Sequence, residues 1–481
     1  MDKFNFCSKV QKEAIEKYVE EQFHSNILPA LMDFVRIPNL SPAFDPEWES
    51  NGTLLKAATF LKDWVQKQDL KNATLEVVQE QGQPPLVFIE VAATDCSNKT
   101  VLFYGHYDKQ PHFTGWKEGT GPITPAIIGD CLYGRGCSDD GYAIFASVLS
   151  IKACQVLGYG HPKCVITIEG EEETDSAYYM TYLDKLSPRI GTPDFVFCLD
   201  SGCSDYKTMW LTTSLRGILE ADLTVQVLTE GVHSGDSSGI VPTPFRIITQ
   251  LLSRIENIEN GRIHDSFQVN IPPHRYEEAY RVAEIKQENV YNKFPFHSKM
   301  TPTTTNPLEA YLNRTWRAQL SVVGADGLPP AKTAGNVLLP VNTFKLSLRL
   351  PPTLDAEKAK HDIKRILEEN PPYNSQVICK VHDSAEGWSA PKLHEVLDKS
   401  MNAASQNFFG KLVECQGEGG SIPLMNDLKR KYPNIQFIVT GILGPYSNAH
   451  GPNEMLHIPY TKKIMCCVTQ ILADTSSSFS V

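Results

Sequence analysis

TVLFYGHYD, residues 100–108, is the stretch on which the reading of this chain turns. Its first residues are almost continuously apolar, aromatic or β-branched, the pattern of a strand buried on both faces. It ends in a histidine and, two positions on, an acid. Residues two apart in a strand share a face, so His106 and Asp108 point the same way. Asp108 can then accept a hydrogen bond from the far ring nitrogen of His106 and fix its tautomer. Alone, this spacing more often marks a strand-end histidine beside a turn aspartate. Its weight comes from four further stretches: GRGCSDDG around Asp139, EGEEE ending at Glu173, CLDSG around Asp200 and SNAHGPNE around His450. Two histidines and three carboxylates, with no thiolate, suit a hydrolytic zinc, manganese or cobalt site better than a Cys-rich structural one. In this order they read as a two-metal hydrolase.

Other runs repeat the strand pattern. Residues 86–93, 164–170, 195–200 and 435–442 are short, apolar and rich in β-branched and aromatic side chains, whereas residues 142–157 and 176–186 read as helices. A further helix is expected from Pro459 to about Ala473, and an amphipathic one over the first 22 residues. This alternation predicts an α/β catalytic domain with a mixed, largely parallel sheet flanked by helices. His106, Glu173, Asp200 and the His450 loop each follow a strand, and the carboxyl ends of strands are where α/β sheets build ligand sites.

The middle of the chain differs. Residues 217–228 and 344–350 alternate apolar and polar positions, as half-exposed strands do. Residues 243–258 and 354–370 look like amphipathic helices, the second with Ala359, Ile363, Ile366 and Leu367 on one stripe. Residues 376–383 supply a last strand, and 272–313 resist assignment. The expected organisation is a first catalytic part over 1–213, an inserted α+β domain over 214–383 and a second catalytic part over 384–481.

Composition sets bounds. A chain of 481 residues exceeds one ordinary core. A net charge of −11 argues against nucleic-acid binding, which needs a basic surface. No apolar run nears the roughly 18 residues of a membrane span, and the N-terminus lacks the apolar core of a signal peptide. Twelve cysteines without CxxC spacing read as reduced thiols. The expectation is a cytoplasmic protein with no nucleic-acid or membrane partner, in which the sequons at Asn51, Asn72, Asn98 and Asn313 go unused.

Each acidic motif has a plain structural alternative. One of the adjacent pair Asp139–Asp140 could cap the helix that follows, and a charge run such as EGEEE is usually a solvated face. This run, however, begins inside an apolar strand, where carboxylates are costly unless metals or protons compensate. Asp200, at the tip of another buried strand, falls under the same argument.

Taken together, the motifs resemble the di-zinc aminopeptidase and carboxypeptidase family that includes carnosinase and the cytosolic non-specific dipeptidase. The resemblance covers nearly the whole chain. It implies one metal held by His106, Asp139 and Asp200, a second held by Asp139, Glu173 and His450, and a cis peptide after Asp139. The ions would be zinc, with manganese or cobalt as alternatives. Glu172 matches the family's general base and Asp108 the acid that orients the first histidine. GVHSGD resembles the lid motif whose histidine, here His233, reaches an active site, and LSLRL the strand whose arginine, here Arg349, holds a substrate carboxylate. Thr333 and Asn336, with Gly420 and Ser421, match further substrate contacts. The resemblance also implies a homodimer formed through the inserted domain. The chain departs from the common Lys-Gly after the paired acids, having Gly141–Tyr142, and it adds Asp175 after Glu173.

The function these readings imply is metal-assisted hydrolysis of dipeptides or C-terminal residues, with Glu172 moving the proton and His233 stabilising the oxyanion. An N-acyl-amino-acid deacylase on the same scaffold, or a non-catalytic binding protein, are the alternatives.

Overall fold

The computed structural model describes residues 11–94 and 97–476. The expected N-terminal helix appears as Lys12–Gln22, and the stretch before Gln11 lies outside the described residues. Two compact units form: Met1–Thr212 with Pro391–Cys415 and Asp427–Val481, and Thr213–Ala390 with Gln416–Asn426.

In the first unit a six-stranded sheet runs in the order Ala73–Val78, Leu86–Val91, Lys163–Glu169, Thr100–His106, Phe195–Cys198, Gln436–Val439. The last four strands are mutually parallel and the first two antiparallel, so the sheet is mixed as expected. Leu102, Phe103, Val165, Ile166, Val196 and Phe197 are fully buried, which is why these strands read as unbroken apolar runs. Each such side chain contributes about 1.5–3 kcal/mol by leaving water. Helix Tyr142–Leu157 packs on the Thr100–His106 strand and is covered in turn by helix Ile458–Thr475. Apolar around most of its circumference, it buries all but a few of its residues, and Gly158 ends it in the left-handed conformation (φ 74°).

In the second unit Gln319–Asp326, Val341–Leu350, Gly217–Gln226 and Gln376–Ala385 form an antiparallel sheet in that order. Gly217–Gln226 alternates buried and half-buried residues along its length. Leu219, Leu223 and Leu348 pack with Ile247, Leu251 and Ile363 of helices Pro244–Leu252 and Ala356–Glu368. Gln319–Asp326 was not among the expected strands. The unassigned stretch 272–313 contains helix Pro273–Lys286 and, from its end, helix Pro307–Thr315.

The ten described cysteines form no disulfide with one another. Among the described residues, no helix is long and apolar enough to cross a membrane.

Candidate metal centre

The parallel strands deliver the site residues to one edge of the first unit. His106 is the last residue of its strand and pairs with Glu169. Asp200 lies two residues beyond Phe195–Cys198, and Glu172 and Glu173 open a tight turn shortly after Lys163–Glu169. Gly105 is required here. A Cβ at this position would stand 2.6 Å from Asp140 Oδ2 and 2.6 Å from Ala143 Cβ, so only glycine lets the Asp139–Asp140 loop rest on the strand. The bond between these two aspartates is cis. His450, in the loop after Gln436–Val439, adopts φ 63°.

The two candidate ligand sets meet at Asp139. Its Oδ1 lies 3.3 Å from His106 Nε2 and its Oδ2 3.1 Å from His450 Nε2. His106 Nε2 is also 3.9 Å from Asp200 Oδ2 and 3.9 Å from Glu172 Oε2, while His450 Nε2 is 3.2 Å from Glu173 Oε2. His106, Asp139 and Asp200 place one ligand atom each within 4.8 Å of one another, and so do Asp139, Glu173 and His450.

Asp108 is more heavily used than its spacing implied. His106 Nδ1 is 3.1 Å from the Asp108 carbonyl and 3.4 Å from its carboxylate. The two carboxylate oxygens accept the backbone N–H groups of Glu172 and Glu173, both at 3.1 Å. One buried acid thus orients the histidine and fixes the turn that bears both glutamates.

The electrostatics are those of crowded anions. Burial, reinforced by the charge of Asp200, lifts Glu172 well above the usual carboxylate range. Burial raises Asp200 to about 7 against the pull of His106, and burial with the nearby Asp139 raises Glu173. The carboxylates of Asp139 and Glu173, both facing its Nε2, raise His450 to about 11. Burial opposes the charged form of His106, but Asp108, Asp139 and Asp200 outweigh it and hold the ring well above the ordinary histidine range. Asp139 Oδ2 is buried and receives no hydrogen bond of proper direction, although His450 Nε2 faces it. Buried carboxylates competing for too few protons, with imidazole nitrogens turned toward them, fit two divalent cations.

Other residues of these stretches have local structural roles. Glu169 opens the acidic run but stands apart from the ligand sets, accepting hydrogen bonds from Tyr104 Oη (2.7 Å) and Ser176 Oγ (2.9 Å). Asp175 sits exposed on the turn at φ 81°. The Gly141–Tyr142 departure has a local cause. A Cβ at 141 would meet the Gly136 carbonyl and the Phe34 ring, and the Tyr142 hydroxyl donates to the carbonyl of Leu199, next to Asp200. Gln110, not singled out in the sequence, donates from Nε2 to Glu173 Oε2 at 2.6 Å.

The remaining candidates belong to the second unit. His233 is exposed and uses Nδ1 to accept the N–H of Gly235 at 3.1 Å, capping a short helical turn. Asn336 lies beside it, its carbonyl accepting from Ser234 N at 3.0 Å, and Thr333 Oγ1 donates to Pro330 O nearby in sequence. Arg349 Nη1 is 3.4 Å from Ser421 Oγ, and Ser421 in turn donates to the carbonyl of Arg216. Gly420 has open space where a Cβ would be.

The chain is 27% identical over 425 residues to the probable di- and tripeptidase DUG2 of Saccharomyces cerevisiae, a match covering 84% of this chain but only 46% of that longer protein. It is 26% identical over 395 residues to the Cys-Gly metallodipeptidase DUG1 of the same yeast, covering 78% of this chain and 79% of that one. The human Beta-Ala-His dipeptidase is 25% identical over 396 residues, 77% of this chain and 75% of its own length. Two solved structures share the fold. The dipeptidase Dug1p from Saccharomyces cerevisiae has a TM-score of 0.75 at 21% identity, covering 97% of this chain and 99% of that one. Human carnosine dipeptidase 1 has a TM-score of 0.75 at 19% identity, covering 98% and 99%. Residues 102–474, which include all five candidate ligands, match the model of one family: the chain belongs to peptidase family M20/M25/M40.

Proposed function

We propose that this protein is a metal-dependent exopeptidase that hydrolyses dipeptides or C-terminal residues, acting as a cytoplasmic homodimer with two zinc ions per subunit. The carrying observation is Asp139, whose two oxygens face different histidines, with the proton-avid Glu172 alongside. His106, Asp139 and Asp200 would hold one ion, and Asp139, Glu173 and His450 the other. When bound, the ions supply Lewis-acid polarisation of the scissile carbonyl and acidify water.

The chain's own residues do the rest. Glu172 takes a proton from the attacking water and returns it to the leaving amine, a role helped by burial beside Asp200 that raises its proton affinity. Asp108 holds the Glu172 backbone and the His106 ring, so the base cannot drift from the ligand. Arg349 pairs with the substrate carboxylate, with Ser421 and Gly420 flanking it. His233, supplied by the partner subunit's inserted domain together with Thr333 and Asn336, donates to the developing oxyanion.

Two glutamate variants test the assignment. Glu172→Gln is expected to keep two metals per chain and lose about 10²–10⁴-fold in kcat, whereas Glu173→Gln loses affinity for one metal. The reverse pattern would exchange the roles. Cleavage of an N-acetylated amino acid but not of an unblocked dipeptide would make the protein a deacylase. Mixed dimers of His233→Ala and Glu172→Gln should recover activity if His233 acts across the interface, and stay inactive if it does not.

A further inference from the structure

Glu454, four residues after His450, is fully buried, and its carboxylate is spent on the loop that carries Asp139. Oε1 accepts the N–H of Ser138 (3.0 Å), the hydroxyl of Ser138 (3.1 Å) and the N–H of Asp139 itself (3.2 Å). Oε2 accepts the N–H of Gly136 (2.9 Å) and Arg135 Nη1 (2.8 Å). Its backbone carbonyl accepts the N–H of Gly134 at 3.1 Å. Arg135, also buried, reaches back from the same loop: Nη2 donates to the carbonyls of Gly451 (2.7 Å) and Pro111 (3.1 Å). The loops bearing Asp139 and His450, more than 300 positions apart in sequence, are therefore joined on both sides of the Glu454 carboxylate, within one residue of each of those two ligands.

A buried carboxylate needs its roughly four lone-pair sites filled, and here every donor that fills them comes from the one loop Arg135–Asp139. Five donors converging on one carboxylate, one of them the amide of Asp139, define where Asp139 sits relative to the His450 loop. We infer that Glu454, with Arg135, is the positioning residue that sets the separation of Asp139 and His450, and thereby the affinity of the site they form with Glu173 for its cation. This rests on the proposed ligand assignment.

The test titrates metal-free protein with Co²⁺ by calorimetry and visible absorption, and records the melting temperature of the same metal-free samples. Glu454→Gln keeps shape and volume but turns an amide NH₂ toward N–H donors. It is expected to weaken one of two Co²⁺ sites by about 10- to 100-fold while the other is less affected. Arg135→Lys, which keeps charge but loses the fork to Gly451, should give an intermediate loss. Ser138→Ala removes a single donor, stays folded if the larger change does not, and should weaken the same site by a few-fold. Two sites of native affinity in a folded Glu454→Gln or Ser138→Ala protein, with only the melting temperature reduced, would make the pair merely structural and overturn the inference. Wild-type protein that binds fewer than two Co²⁺ would instead refute the ligand assignment on which the inference rests.

Discussion

Gly141→Ala puts the packing around Asp139 to a quantitative test. Gly141 stands at the N-cap of helix Tyr142–Leu157 with ordinary right-handed backbone angles (φ −53°), so no backbone strain by itself bars alanine there. The surroundings decide otherwise. The new Cβ would lie 2.3 Å from the Gly136 carbonyl oxygen and 2.3 Å from Phe34 Cε1. Relief requires a shift of more than ~1 Å, since carbon contacts settle near 3.5–4.0 Å. Neither neighbour yields easily: Gly136 O accepts the Gly141 N–H at 3.1 Å, and the Phe34 ring lies 4.2 Å beneath the Lys109 ammonium. Overpacking of this kind costs about 1–3 kcal/mol. The net expectation is a loss of ~2 kcal/mol in urea unfolding of the metal-free protein, together with weaker Co²⁺ binding because Asp139 is two residues away. Gly335→Ala, whose Cβ would meet only a Val337 methyl at 4.0 Å, is the control. Gly141→Ala protein as stable as wild type with unaltered Co²⁺ binding would refute the reasoning.

Lys109→Met should cost about 3 kcal/mol in urea unfolding, because the buried ammonium serves the carbonyls of Phe34 (3.0 Å), Val35 (3.3 Å) and Ile37 (2.7 Å) at the end of helix Leu28–Val35; a loss under about 1 kcal/mol would show that those carbonyls find other donors. Asp474 gives a pH dependence. Burial raises this carboxyl to about 7 although hydrogen bonds from Ser400 and Gln470 favour its charge. A carboxyl raised in the folded state binds a proton that the unfolded chain has released, so its contribution falls as pH climbs from about 4 to about 7. Asp474→Asn should remove that fall and gain as much as ~4 kcal/mol at pH 8 relative to pH 4, measured by unfolding midpoints at both pH values. An equal difference from wild type at the two pH values would contradict it.

The parts of the fold visible in the sequence are those where one physical demand dominates. Thr100–His106 and Tyr142–Leu157 coincide with the expected residues because burial on nearly all sides leaves an unbroken apolar signature. Ala73–Val78 escaped notice as an edge strand whose residues are mostly half-buried. Ala126–Ile128, Cys131–Tyr133 and Met455–His457 are three residues each, too short for any period to register. Helix Pro273–Lys286 buries only a few of its residues, so its apolar stripe is faint. The expected helix over 243–258 ends at Leu252, where the chain turns so that Glu256 can bridge to Ile263. In the site, the acids at strand ends were legible because a charge beside an apolar run demands an explanation. Glu454 and Gln110 were not, since their meaning lies in partners 315–319 and 63 residues distant.

The helix Tyr142–Leu157, enclosed by the sheet beneath and Ile458–Thr475 above, has a consequence for the order of assembly. Its outer cover is made roughly 300 residues after the helix itself. At about 5–20 residues per second of synthesis, the nascent chain carries an apolar helix only partly covered, by Lys12–Gln22 and by Trp64 against Phe145, for on the order of 15–60 s. Such a surface invites a chaperone during translation. Once closed, its solvent-facing residues are confined to the last turns around Val156, so the amides of the buried stretch Tyr142–Ile151 should exchange with deuterium only through opening of the whole unit.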